Sequence, residues 1–136
     1  MPLFQWAKEF SVGVSTMDRH HQKLFDILNK LHDAMSQGKA LTVVSGVIKE
    51  LLDYTKYHFA EEEKLLEKIG YSRLSEQKAA HKKFIESIEK YKDQADKGMA
   101  AFLSSGISGL LTDWLKNHIG VMDKKYQKEM NDHGLR

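Results

Sequence analysis

The chain has 136 residues, enough for one domain with a real core, and its 41% hydrophobic and 29% charged content is that of a soluble globular protein. Lys and Arg number 21 against 19 Asp and Glu, a net charge of +2, and no basic run is interleaved with aromatics, so no nucleic-acid partner is expected. The absence of cysteine excludes disulfides, thiolate metal sites and cysteine nucleophiles; no apolar run approaches the ~18 residues that mark a transmembrane span, "MPLFQWAKEF" is not expected to act as a signal peptide, and the cytoplasm is the expected location.

Pro2 is the single proline, and turn signals are sparse, which predicts helices. Residues 1 to about 15 read as an N-terminal arm anchored by Phe4, Trp6 and Phe10. A first helix is predicted from about Thr16 to Gln37, ended by Gly38, with a stripe of Met17, His21, Leu24, Phe25, Leu28, Leu31 and Met35. A second runs from about Leu41 to Ile69, ended by Gly70, and its stripe passes through Val44, Ile48, Leu51, Thr55, His58, Glu62 and Leu66. A third, over about 73–97, begins near Ser72 or Ser75 and aligns Leu74, Gln77, His81, Phe84, Ile85, Ile88, Tyr91 and Ala95. The fourth, over about 100–119 and starting near Met99, carries Leu103, Ile107, Leu110, Leu111, Trp114, Leu115, His118, Ile119 and Met122. A short C-terminal helix follows over about 121–131. Each stripe recurs at the spacing of a helix that buries one face. The linkers are short, so successive helices should run antiparallel. The expectation is an all-α, up-down-up-down antiparallel four-helix bundle, with residues 1–136 forming one domain.

The stripes are not purely apolar. His21, His58 with Glu62, His81 and His118 all fall on faces that should be buried. His58 and Glu62 are four residues apart, about 40° of rotation, so both point inward. A lone histidine in such a stripe is commonly a core residue with its own hydrogen bond. Four histidines and a carboxylate, distributed over four helices among Leu, Ile and Phe, offer few separate partners; one shared cation satisfies them together. Asp123 follows His118 by five residues, about 140° on a regular helix, which turns it outward. Taken alone it reads as a solvated charge. A local widening of the helix toward five-residue turns, or a break at Gly120, would bring it inward.

"MDRHHQKLF", "HFAEEEKL", "HKKF" and "DWLKNHIGVMDKKY" resemble, in that order, the signature segments of the hemerythrins, in particular their single-domain bacterial members. The resemblance covers nearly the whole chain. It implies a centre of two non-haem iron ions that binds O₂ reversibly, as peroxide, at one iron. It also implies that His21 and His58 ligate one iron, that His81 and His118 ligate the other, and that Glu62 and Asp123 bridge them. Imidazole with carboxylate is a donor set that suits iron. In the family the second iron has a third histidine; at that position this chain has Gln77. The Gln77 amide oxygen could bind iron, leaving its NH₂ in need of an acceptor. It could instead hydrogen-bond a water in the vacant position, or turn aside. Each alternative implies a weaker site than three histidines.

Leu115 and Ile119 are expected to line a dry pocket for O₂ over the iron, and Tyr126 matches the family's Asp-x-x-Tyr. His20 reads as surface or rim, because it lies about 100° from His21. His32, His133, Glu61 and Glu63 read as solvated. Three functions compete. The first is a binding protein for O₂ and small anions, not an enzyme, serving storage, delivery or sensing, with an O₂-consuming enzyme as a conceivable recipient. The second is a di-iron enzyme acting on O₂, peroxide, nitric oxide or ferrous iron. The third is a structural bundle with a vestigial site.

Overall fold

The computed structural model describes residues 5–98 and 103–136. Four helices dominate it: α1 (Ser15–Ser36), α2 (Leu41–Lys68), α3 (Leu74–Asp96) and α4 (Leu103–Asp113). The fourth helix continues without a break as a π-helix from Trp114 to Met122, then as a 3₁₀ turn from Asp123 to Tyr126, and ends in α5 (Gln127–Asp132). Among the described residues there is no strand, and no helix is long and apolar enough to cross a membrane. The helices pack as a closed ring, α1 on α2, α2 on α3, α3 on α4 and α4 back on α1. This is the expected four-helix bundle.

The turns form as the glycines predict. Gly38 and Gly70 have φ of +65° and +66°, a conformation in which a side chain would clash with the following carbonyl. The chain thereby folds back on the end of each helix. Lys39 N–H reaches the Ala34 carbonyl at 3.0 Å, and Tyr71 N–H reaches that of Leu66 at 2.9 Å, which satisfies carbonyls left over at the helix ends.

The predicted stripes are the buried faces. One large apolar cluster joins Leu24, Leu28 and Leu31 of α1, Ile48 and Leu51 of α2, Phe84 and Ile88 of α3, and Ile107, Leu111, Leu115 and Ile119 of the fourth helix. A second, smaller cluster lies toward the other end of the bundle and includes Val12, Val14, Met17, Leu66, Tyr126 and Met130. Of the arm residues expected to anchor it, Trp6 and Phe10 pack on Phe25, with ring centroids 5.4 and 5.0 Å away. Phe4, Met99 and the Leu103 side chain lie outside the described residues. The arm is tied down further by Asp18, whose carboxylate accepts from Ser11 Oγ at 2.6 Å and from Val12 N–H at 2.8 Å.

Candidate metal centre

Between the two apolar clusters lies a polar layer. Each helix crosses from one cluster to the other through it. On α1 the order is Met17, His21, Leu24; on α2 it is Phe59, Glu62, Leu66; on α3 it is Leu74, Gln77 with His81, then Phe84; on the fourth helix it is Ile119, Asp123, Tyr126. His21, Glu62 and Gln77 have no exposed surface, and His58, His81, His118 and Asp123 have 5% or less. Placing this many polar side chains in one layer carries a desolvation cost that hydrogen bonds or a cation must offset.

Asp123 reaches the layer because the fourth helix is a π-helix from Trp114 to Met122. In a π-helix each N–H bonds a carbonyl five residues earlier, so His118 and Asp123, five apart, come onto one side. The Asp123 N–H bonds the His118 carbonyl, closing that wider turn. Of the two expectations for this stretch, widening is what the structure has; no break occurs at Gly120. A β-carbon at Gly120 would stand 3.3 Å from the Leu115 carbonyl oxygen and 3.7 Å from Phe10.

The two carboxylates each divide their oxygens between two sides. Glu62 Oε2 lies 3.5 Å from His21 Nε2 and 3.4 Å from His58 Nε2, while Glu62 Oε1 lies 3.0 Å from His81 Nε2. Asp123 Oδ2 lies 3.3 Å from His21 Nε2, and Asp123 Oδ1 lies 3.0 Å from His118 Nε2. Gln77 donates from Nε2 to that same Oδ1 at 2.9 Å. Two groups of donors result, one of His21 and His58 with Glu62 and the other of His81 and His118 with Glu62 and Asp123, the atoms of each within 4.8 Å of one another.

Of these, the Gln77–Asp123 contact is a hydrogen bond; the histidine–carboxylate contacts are close but are not. Both ring nitrogens of His21, Nε2 of His81 and of His118, Glu62 Oε1 and Gln77 Oε1 are buried without a hydrogen-bond partner. Each unmatched group of this kind costs roughly 1–3 kcal/mol. Ligands about 2.1 Å from a metal and at right angles stand about 3 Å apart, which is the spacing found here. The nitrogens and oxygens carry lone pairs that a cation would satisfy, so the residues present fit bound metal.

The outer ring nitrogens are held by other groups. His81 donates Nδ1–H to Glu63 Oε2 at 2.8 Å, which leaves Nε2 with its lone pair facing the layer. His58 Nδ1 lies 3.0 Å from His20 Nδ1, so one proton is shared between the two rings. Tyr126 donates its buried hydroxyl to Glu62 Oε2 at 2.9 Å. Aromatic rings wall the layer: Phe59 stacks on His81 at 3.9 Å and Trp114 on His118 at 3.7 Å.

Electrostatics follow from this placement. Burial pushes the Glu62 carboxyl up, but His58, His21 and His81 around it outweigh that and hold it well below the ordinary carboxylate range. Burial lowers His21 and His81, yet the Glu62 carboxylate, supported by Asp123, raises both on balance. His58 is lowered, burial outweighing Glu62. Burial, then Glu62 and Asp123, push the Tyr126 hydroxyl well above its ordinary value, so it stays a donor.

The structure brings together all seven residues named as metal-ligand candidates. Leu115 and Ile119 are buried in the larger apolar cluster beside the layer. Gln77 is buried, and its amide N–H bonds Asp123 within the layer. Glu63 corrects an expectation: it is not a solvated edge but the hydrogen-bond partner of His81. Its neighbour Glu61 stays half-buried. His20 is at the rim, half-buried, but is coupled to His58. His32 is half-buried, and His133 is exposed in the tail. Phe59 was absent from the predicted stripe. The sequence signal for it and for Glu63 is the same: each sits one residue beyond an inward position on α2, and its inward partner lies on α3.

A bundle whose four helices all contribute to two buried groups of histidine and carboxylate donors is a helical metal-binding domain. The chain belongs to the hemerythrin family: residues 12–129 match the hemerythrin HHE cation-binding domain. It is 36% identical over 121 residues to a bacteriohemerythrin of Pseudomonas aeruginosa, covering 89% of this chain and 77% of that one. It is 33% identical over 127 residues to a bacteriohemerythrin of Methylococcus capsulatus, covering 93% and 95%. The crystal structure of wild-type hemerythrin superposes with a TM-score of 0.83 at 31% identity, over 93% of this chain and 96% of that one.

Proposed function

We propose that the chain holds two non-haem iron ions and binds O₂ reversibly, as a binding protein rather than an enzyme. The observation that carries this is the division of Glu62 and Asp123, each with one oxygen toward His21 and the other toward His81 or His118. In this reading His21 and His58 would hold one ion and His81 and His118 the other, with Glu62 and Asp123 as carboxylate donors to both. When bound, such an iron pair would supply the two-electron chemistry that reversible O₂ binding needs. The chain's own part is to keep the place dry and the imidazoles oriented. Leu115 and Ile119 form the apolar lining, Glu63 fixes the His81 ring, and Tyr126 holds the bridging Glu62. Membership of a cation-binding family supports the metal; the hemerythrin relatives support O₂ as its ligand.

The test is anaerobic loading with ferrous iron, a count of iron per chain, and an optical spectrum recorded on adding and then removing O₂. Two irons per chain and a spectrum that appears with O₂ and reverses on its removal are expected. One iron or none in a correctly folded chain overturns the reading. Two irons with irreversible consumption of O₂ make the protein an enzyme instead.

A further inference from the structure

We propose that Gln77 is itself a metal ligand, giving its amide oxygen to the ion held by His81 and His118 while Asp123 fixes the amide by accepting its N–H. The inference rests on the metal reading above. Gln77 stands one turn before His81 on α3, on the same buried face, and has no exposed surface. Among the apolar residues of that face a leucine or methionine would fill the space with no polar atom to satisfy. The carboxamide makes one hydrogen bond, from Nε2 to Asp123 Oδ1 at 2.9 Å, and its Oε1 makes none.

The two ends of the amide are not equivalent here. Asp123 is acceptor-only when ionised, so the amide turns its N–H toward it; the oxygen in that place would face another oxygen. Oε1 then belongs to the same set as the Nε2 atoms of His81 and His118 and Glu62 Oε1, all buried and all without a hydrogen-bond partner. Each of these offers a lone pair. A cation satisfies every one of them at once, and a neutral carbonyl oxygen is an ordinary donor to such an ion. The usual difficulty of an amide ligand, an NH₂ group buried without an acceptor, is met by Asp123 Oδ1. That carboxylate oxygen has lone pairs enough for the amide and a metal together.

An amide oxygen is a weaker donor to iron than imidazole. The ion at His81, His118 and Gln77 is therefore held less tightly than three imidazoles would hold it.

Zinc, which is redox-inert, is the probe. The parent and the variants Gln77→Met and Gln77→His are loaded with Zn²⁺, titrated with a competing chelator, and the zinc-loaded parent is crystallised. The parent should hold two zinc ions released in two steps, with Gln77 Oε1 about 2.0–2.2 Å from one of them. Gln77→Met, similar in length and without the oxygen, should weaken one step about 10- to 100-fold and leave the other within about twofold, with the helicity of the metal-free protein unchanged. Gln77→His should tighten that same step beyond the parent. A water between Oε1 and zinc, or a methionine variant that binds both ions as the parent does, overturns the ligand role and leaves the di-metal reading standing. A parent that fails to bind two zinc ions overturns both.

Discussion

The second helix and the fourth bring a histidine and a carboxylate to the same layer by different means. On α2, His58 and Glu62 are four residues apart in a regular helix, and both face inward by ordinary periodicity. On the fourth helix, His118 and Asp123 are five apart, and the helix between Trp114 and Met122 is widened into π geometry. The pairs end equally buried, yet the first needs nothing beyond the helix itself. The second depends on packing that compensates for the poorer backbone geometry of a π-helix. Here that packing is the apolar cluster holding Trp114, Leu115 and Ile119, with Tyr126 beyond it in the other cluster. A site can therefore be read from α2 and yet be completed only by a segment whose shape the tertiary structure imposes.

Breaking the regular pair should have the largest effect. Glu62 lies within 3.5 Å of His21, His58 and His81, so Glu62→Ala removes a donor from both proposed ions. Iron content after anaerobic loading should fall from two per chain to below one, measured by elemental analysis against helicity as a control. Retention of two irons would mean that Glu62 is not needed as a bridge.

Leu115→Ala strikes the π segment. Leu115 is buried in the larger cluster, and truncation should cost roughly 2–5 kcal/mol, read from urea unfolding of the metal-free protein. In the iron form it should also hasten anion binding and oxidation of the O₂ complex. Unchanged rates would remove Leu115 from the lining of the iron pocket.

Tyr126→Phe joins the two helices' contributions, because the Tyr126 hydroxyl beyond the π segment donates to Glu62 on α2 at 2.9 Å. Loss of a buried hydrogen bond to a carboxylate should cost about 1.5–3 kcal/mol in the metal-free protein. Less is expected once metal is bound, because the ions then share the Glu62 charge. Equal costs in both states would show that the hydroxyl does not act through Glu62.

The smallest effect compares a glycine from each helix. Gly46 is exposed on α2, with nothing within 4 Å of where its β-carbon would stand; Gly46→Ala should stabilise by about 0.8–1 kcal/mol through helix propensity. At Gly120 the added carbon meets the Leu115 carbonyl oxygen at 3.3 Å, so Gly120→Ala should show no such gain. Equal gains in melting temperature for the two variants would remove the steric difference between the segments.

The sequence by itself determined the four helices, their glycine ends and the inward direction of His21, His58, Glu62, Gln77, His81 and His118. Each of these lies on a 3.6-residue period within a single helix, and a local period needs no knowledge of neighbours. Other features were decided by the tertiary structure alone. Asp123 is inward because the fourth helix widens; local geometry points it outward. Glu63 and His20 engage His81 and His58 because α2 packs against α3 and α1, pairings between residues 18 and 38 positions apart in the chain. Gln77 was legible as a departure from the family's histidine, but the partner of its amide lies 46 residues away on the fourth helix. A hydrogen bond across a bundle depends on the rotation and register of two helices together, and the period of either one leaves that free.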